Sequence, residues 1–211
     1  MIKYIFIFLI SLLCFEMLYA QTDFTRVKDQ KQIQAEIEKS SKSIKSIKSL
    51  FTQYKYLDVL EDEIESKGKF LFKAPDYLKW EYQTPYEYII LRKGDKMLIN
   101  DEGQLKEYDI SSNQAFSAIN NMMINLVTGN FFESGDYKAT FFENGEMYKV
   151  VLVPVESQMA DFLENIELFF DRQELQLQHI QMNEMSGDYT KIVFSEKTLN
   201  ATIPDAAFSA D

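Results

Sequence analysis

Few side chains in this sequence could do covalent chemistry, and their spacing does not assemble them. His179 is the only histidine and Cys14 the only cysteine of 211 residues. A histidine-based metal cluster is therefore excluded. A Ser-His-Asp triad would have to use His179, which lies in the polar run 176–184, and no glycine-flanked serine elbow occurs anywhere. Glu61, Asp62, Glu63 and Glu65 could supply paired carboxylates of the glycosidase kind, which makes a carboxylate-based hydrolase one alternative. Four acids at the start of a strand also make an ordinary solvated hairpin end, which is the simpler reading. No glycine-rich phosphate cradle is present, so no nucleotide and no other cofactor is expected. The weight of the sequence lies instead on 17 phenylalanines, 12 tyrosines and one tryptophan. That dose of aromatics can fill a core or line a cavity, and both need the same inward face.

Bulk properties narrow the classes further. The formal net charge is −11, which argues against nucleic acid and against stable docking on anionic lipid; it suits a basic partner, or solubility alone. Residues 1–20 have the form of a signal peptide: Lys3, an apolar stretch over 4–15, and Leu18-Tyr19-Ala20 as the cleavage site. Twelve apolar residues are too few to span a bilayer. Cys14 lies inside this segment behind Leu13, where a lipidation signal would place a small residue. The expectation is an exported, soluble, cysteine-free protein, with residues 21–211 forming a single domain.

Periodicity then places the elements. Ile33, Ile37 and Ser41 share one edge, continued by Ile44 and Ile47, and predict an amphipathic helix over 29–43. From residue 50 the pattern changes to strands: 51–60 and 63–73, the run after the turn Ala74-Pro75-Asp76, then 86–92, 96–100 and 104–109. A second helix is predicted from 112 to 127. It carries no charged residue, and Ile119, Met122 and Met123 fall on its apolar face. Paired methionines fit an adaptable apolar surface and equally fit core filler. Strands resume at 137–142 and 147–155, with a loop or single helical turn over 157–160, then 163–170, 175–185 and 189–194. Parity changes near His179, because Leu175 and Leu177 share one face while Ile180 and Met182 share the other, so a β-bulge is expected there. The segment 201–208 ties the C-terminus to the sheet. The fold class is mostly β with helices: a curved antiparallel sheet or incomplete barrel with one apolar concave face under a helical lid. Its inward set is Ile64, Phe70, Phe72, Leu78, Trp80, Tyr82, Ile166, Leu168, Phe170, Ile192 and Phe194.

The stretch 68–85 organises the rest. Gly68, Phe70 and Phe72 alternate with lysines before the proline, and Leu78, Trp80 and Tyr82 alternate with Tyr77, Lys79 and Glu81 after it. With Phe51-x-Gln53 ahead of it, this Gly-x-Phe-x-Phe, Lys-x-Pro, Leu-x-Trp-x-Tyr-x-x-Pro series resembles the LolA family of periplasmic carriers of outer-membrane lipoproteins. The likeness continues through Gly94-Asp95, the run 105–109 and Ile203-Pro204-Asp205 with Phe208, and so spans nearly all of the mature chain.

That resemblance implies a carrier chaperone, not an enzyme, working as a monomer in the periplasm. Acylated lipoproteins would be its cargo, an inner-membrane lipoprotein-releasing ABC transporter its donor and an outer-membrane protein its acceptor. The acyl-chain cavity would be lined by Phe70, Phe72, Leu78, Trp80, Tyr82, Ile119, Met122, Met123, Ile166, Leu168 and Phe170. In the family an arginine precedes the proline and holds the empty lid closed; here that position is Ala74, leaving Lys73 and Lys79 as the neighbouring gate candidates, neither with an arginine's planar fork. A non-carrier lipid sensor or a fixed acceptor with the same half-barrel is the other alternative.

Overall fold

The computed structural model describes residues 23–109, 124, 125, 129, 132, 135–155 and 158–210. The predicted signal peptide and most of the predicted second helix, with Ile119, Met122 and Met123, lie outside the described residues.

The first helix forms where its caps dictate. Helix α1 spans Gln30–Lys42, and the Asp29 carboxylate accepts the Gln32 backbone N–H at 3.1 Å, satisfying one of the free donors of the first turn. Lys39 and Lys42 sit in the last turn, where they complement the helix dipole. Ile33, Ile37 and Ser41, four residues apart, are buried.

Most of the remaining regular structure among the described residues is sheet. The strands are β1 (Thr25–Arg26), β2 (Ser46–Leu57), β3 (Asp62–Lys73), β4 (Tyr77–Thr84), β5 (Tyr88–Lys93), β6 (Lys96–Asp101), β7 (Gln104–Asp109), β8 (Tyr137–Glu143), β9 (Met147–Pro154), β10 (Leu163–Asp171), β11 (Leu177–Glu184) and β12 (Tyr189–Leu199). They form one antiparallel sheet in the order β1-β8-β9-β10-β11-β12-β2-β3-β4-β5-β6-β7. Two meanders, β2–β7 and β8–β12, are thus joined along a single seam where β12 pairs with β2, with Phe194 opposite Phe51. The sheet is curved and open, with β1 and β7 at its edges.

Three boundaries differ from expectation. β2 starts at Ser46 and takes in Ile47, which the helical stripe had claimed. Ser46 and Ser49 are buried there, because their hydroxyls donate to the carbonyls of Ala201 and Ser195. β2 also stops at Leu57, and a 3₁₀ turn over Asp58–Leu60 leaves Val59 and Leu60 exposed. β12 runs on to Leu199 through an irregularity after Ser195, where Glu196 takes a positive φ of 51°. The parity change near His179 is a register shift: Phe169 faces His179 while Phe170 faces Leu177, leaving Gln178 bulged.

Strand alternation divides the apolar side chains between two faces. On the concave face of β8–β11, Phe141, Val150, Leu152, Ile166, Leu168 and Phe170 pack under Val27 and under Ile33 and Ile37 of α1. On the convex face of β3–β6, Leu91 packs with Ile203, Phe208 and Ala210 of the C-terminal segment. That segment is fastened by Lys73 to Asp205, by the Asn100 amide to the Ala210 carbonyl at 2.6 Å and by an edge contact of Phe208 with Tyr77. Remaining is the concave face of β2–β5.

Candidate functional site

That face carries an aromatic cluster. β2, β3 and β4 are neighbours, so Phe51, Phe70 and Trp80 meet across three strands; Phe72, Leu78 and Ile192 complete the buried set. Ring centroids of Trp80 lie 4.8 Å from Phe51, 5.0 Å from Phe70 and 6.1 Å from Phe194, all tilted or edge-on, the geometry aromatic quadrupoles favour. Gly68 makes the approach of Phe51 attainable. A Cβ there would collide with the Glu81 carbonyl oxygen and stand 2.8 Å from Phe51 Cζ, so the period-2 pattern puts glycine where a side chain has no room.

Polar atoms on this face are few and tightly held. Tyr82 donates its hydroxyl to the Gln53 side-chain carbonyl at 2.9 Å. Burial pushes its pKa up to about 12; the Trp80 indole N–H acts the other way and Tyr88 adds to the rise. Among the described residues, the Trp80 N–H does not reach hydrogen-bond geometry with any partner, and neither does Nη1 of Arg92. Arg92 pairs with Leu78 in register and therefore lies on the concave face, with its Nε–H donating to the Gly94 carbonyl at 3.2 Å. Carrying the parity of Leu78 across to β5 finds Arg92 in the sequence; the predicted strand over 86–92 carries no assignment of its faces.

The cluster opens into a trough. Toward one end of the strands, Ile64, Tyr82, Pro85, Tyr86, Tyr88 and Ile90 line an open hollow of about 530 Å³, with Asp101 and Glu102 at its lip. Ile64, expected inside, stands 46% exposed at this mouth, because β3 runs beyond the cluster there. The two halves of the concave face thus differ. α1 fills the β8–β11 half, and the β2–β5 half pairs a packed aromatic floor with accessible apolar space.

Each predicted cavity residue has a definite place. Phe70, Phe72, Leu78 and Trp80 are together in the aromatic cluster with Tyr82 against it. Ile166, Leu168 and Phe170 lie on the same concave face but in the other cluster, under α1. Met182 and Phe194 touch both clusters. Of the gate candidates, Ala74 packs against the aromatic cluster. Lys73 and Lys79 alternate to the convex face, where Lys73 holds Asp205 and the Ile203 carbonyl, and Lys79 is buried beside Glu81 at 3.1 Å. The Lys73 ammonium holds the Asp205 carboxyl below its usual range. His179 is an ordinary strand residue stacked on Phe169 at 3.9 Å on the convex side. Among the described residues no group of acids, histidine or cysteine could hold a metal ion, and no helix is long and apolar enough to cross a membrane.

The chain from β7 to β8 must pass from one edge strand of the sheet to the other meander's far side. Its described points mark the concave side. Ile124, helical as expected, packs on the aromatic cluster; Gly129 meets Ser41 of α1; Phe132 stacks on Phe141 with centroids 5.5 Å apart.

An open antiparallel sheet with a helix packed on its apolar concave face defines a half-barrel of the α+β class. The chain belongs to the family of the outer membrane lipoprotein carrier protein LolA, whose model matches residues 42–211. No curated protein matches it. Among solved structures it is similar to a LolA superfamily protein, NE2245, from Nitrosomonas europaea, at 12% identity over 85% of this chain and 96% of that one, with a TM-score of 0.45. It is also similar to the Mycobacterium tuberculosis lipoprotein LppX, at 10% identity over 83% and 98% of the two chains, with a TM-score of 0.48. A chain of the Pseudomonas aeruginosa MucA/MucB complex matches at 11% identity over 85% of this chain and 60% of that one, with a TM-score of 0.45.

Proposed function

We propose that this protein is an exported, periplasmic carrier that shields the acyl chains of lipoproteins between the inner and outer membranes. The observation that carries the reading is the apolar trough running off the aromatic floor of β2–β5. Family membership supports it. The trough's volume falls within the roughly 300–1,000 Å³ of small-ligand sites. Burying a methylene is worth about 0.8 kcal/mol, so a sixteen-carbon acyl chain gains about 12 kcal/mol on leaving water. The carrier binds mainly through apolar contacts on this face, since the Tyr82 hydroxyl is already bonded, and such contacts release cargo to a more apolar acceptor. In this reading Phe70, Phe72, Leu78, Trp80 and Tyr82 form the floor under the acyl chain. The segment bearing Ile119, Met122 and Met123 covers it, and Ile166, Leu168 and Phe170 support the helical half. The donor would be a lipoprotein-releasing ABC transporter and the acceptor an outer-membrane protein. Neither Lys73 nor Lys79 reaches the acyl path; Arg92, beside Leu78, is the cation placed to act on a cover.

The test is titration with a synthetic dipalmitoylated, cysteine-led peptide and with the same peptide lacking acyl chains. Saturable binding of the acylated form alone, reported by the emission of Trp80, is the expected result. Equal affinity for both peptides would overturn the reading. Preference for free phospholipid over the acylated peptide would replace it with a lipid sensor.

A further inference from the structure

Large apolar side chains left in water are not scattered over this protein. The antiparallel order puts the β2–β3, β4–β5, β6–β7, β9–β10 and β11–β12 connections at one end of the strands, and the β3–β4, β5–β6, β8–β9 and β10–β11 connections at the other. Among the described residues, every large hydrophobic side chain that stands exposed lies at the first end. Val59 and Leu60 top the β2–β3 turn, Tyr86 the β4–β5 turn, Phe162 the β9–β10 connection and Met185 the β11–β12 turn. Ile64, Leu105, Val153 and Val155 sit at strand ends on the same rim. The opposite end carries Ala74-Pro75-Asp76, Gly94-Asp95, Asn144-Gly145 and Arg172-Gln173.

The rim is built, not loose. The Asp58 N–H donates to the Asp188 carboxylate at 2.9 Å, which ties the β2–β3 turn to the β11–β12 turn. The Met185 N–H donates to the Phe162 carbonyl at 3.0 Å, which ties that turn to the next connection. Three neighbouring turns therefore present Val59, Met185 and Phe162 on one laced surface.

Its charge is predominantly negative. Residues 58–63, 84–87, 101–103, 158–162 and 184–188 contain four, one, two, one and two carboxylates respectively, and no lysine or arginine. Lysines stand only at its margin: Lys55 is paired with Glu184 and Lys67 with Glu65, while Lys106 follows Leu105 and Lys138 lies opposite Val153. We propose that this rim docks a partner protein whose contact surface sets apolar side chains among lysines and arginines. Contiguous exposed apolar surface edged by charge marks an interaction site, and the sign selects the occupant. An anionic membrane is repelled by the carboxylates, and a second copy brought rim to rim would oppose like charges. A basic protein surface satisfies both components, covering the apolar tips while neutralising the acids around them. The proposal stands on the rim alone and holds whether or not the trough takes acyl chains.

A benzoyl-phenylalanine cross-linker placed in turn at Val59, Phe162 and, at the far end, Asp95 tests it in the full chain inside the producing cell. The expected result is one shared partner protein captured from Val59 and Phe162 and absent from Asp95, through a segment containing apolar residues and at least two lysines or arginines. Raising salt from about 50 to about 500 mM in isolated envelopes lowers the yield, as screening of an exposed charge contact requires. With the Phe162 probe in place, Val59→Ser with Leu60→Ser, and separately Glu61→Lys with Asp62→Lys, each lower capture by at least about fivefold, roughly 1 kcal/mol. Melting temperature and acyl-peptide binding stay at the unmodified values. Capture of lipid or of a second copy only, a partner segment without cations, equal yield from Asp95 or no capture at all would overturn the proposal. Loss of acyl-peptide binding in the unmodified protein would strike the carrier reading alone.

Discussion

Truncating Trp80 separates a packed floor from an empty cavity. Its side chain is 3% exposed and in contact with three aromatic rings. Aromatic-to-alanine changes in such surroundings cost about 3–5 kcal/mol. Here one contribution has the opposite sign: the indole N–H is buried short of hydrogen-bond geometry with Tyr82 or any other described residue, a state that costs about 1–3 kcal/mol and vanishes with the ring. Taking the middle of each range, about 4 less about 2, the expected loss for Trp80→Ala is about 2 kcal/mol, below the usual range. At about 2–4 °C per kcal/mol for a domain of this size, the melting temperature should fall by about 4–8 °C. Trp80→Phe keeps a ring in the cluster and removes the orphaned donor, so it should stay within about 1 kcal/mol of wild type. Both are read from urea unfolding followed by far-ultraviolet circular dichroism, since the variants lack the only tryptophan. A loss under about 1 kcal/mol for Trp80→Ala would refute the packed floor. A loss above about 2 kcal/mol for Trp80→Phe would show that the indole N–H is bonded after all.

Gly68→Ala forces a Cβ into the Glu81 carbonyl, so β3 and β4 must part. A cost of about 3 kcal/mol or more is expected from calorimetry, and an unchanged melting temperature would disprove the close approach. Arg92→Met keeps the stem and deletes an unsatisfied guanidinium nitrogen; stability should hold or rise by about 1 kcal/mol, and a clear fall in the urea midpoint would mean that Nη1 has a partner. Burial, with Lys191 adding to it, pushes the His179 imidazole down to about 4 from 6.5. The unfolded chain then takes up the proton first, so the stability present above pH 6.5 is lost as pH falls toward 4. Partial exposure reduces the effect to about 1–2 kcal/mol. His179→Gln should flatten that part of the pH–stability curve measured by urea titration, and an identical slope in both proteins would count against a neutral, buried histidine.

What could be read from sequence followed from local physics. Asp29, Ile33, Ile37 and Ser41 specify α1 through capping and four-residue spacing, and Gly94-Asp95 and Asn144-Gly145 specify turns. The bulge beside His179 showed as a break in parity. The missed boundaries share a cause. Ser46 and Ser49 look like helix or loop residues until partners near residues 195 and 201 receive their hydroxyls, and Val59 and Leu60 look like strand because their exposure depends on where the sheet ends. The floor of the candidate site was legible from the alternation of Phe70, Phe72, Leu78 and Trp80. The trough was not, since its walls come from a turn and from strands whose register must be known first. The division of the concave face was hidden as well, because Ile166 and Trp80 obey the same rule of alternation while only one of them lies under α1.

The seam between β12 and β2 has a consequence in time. Phe51 waits for Phe194, a partner far along the chain, and loop-closure entropy makes such pairings late events. While the first meander forms, β2 therefore presents its outer edge to solvent over most of its twelve residues, with the hydrogen-bonding groups of an unpaired strand. A chain ended after Glu174 would keep that edge open permanently and should self-associate in light scattering at concentrations where the full chain stays clear. The last strand made is the one that protects the first long strand from its neighbours.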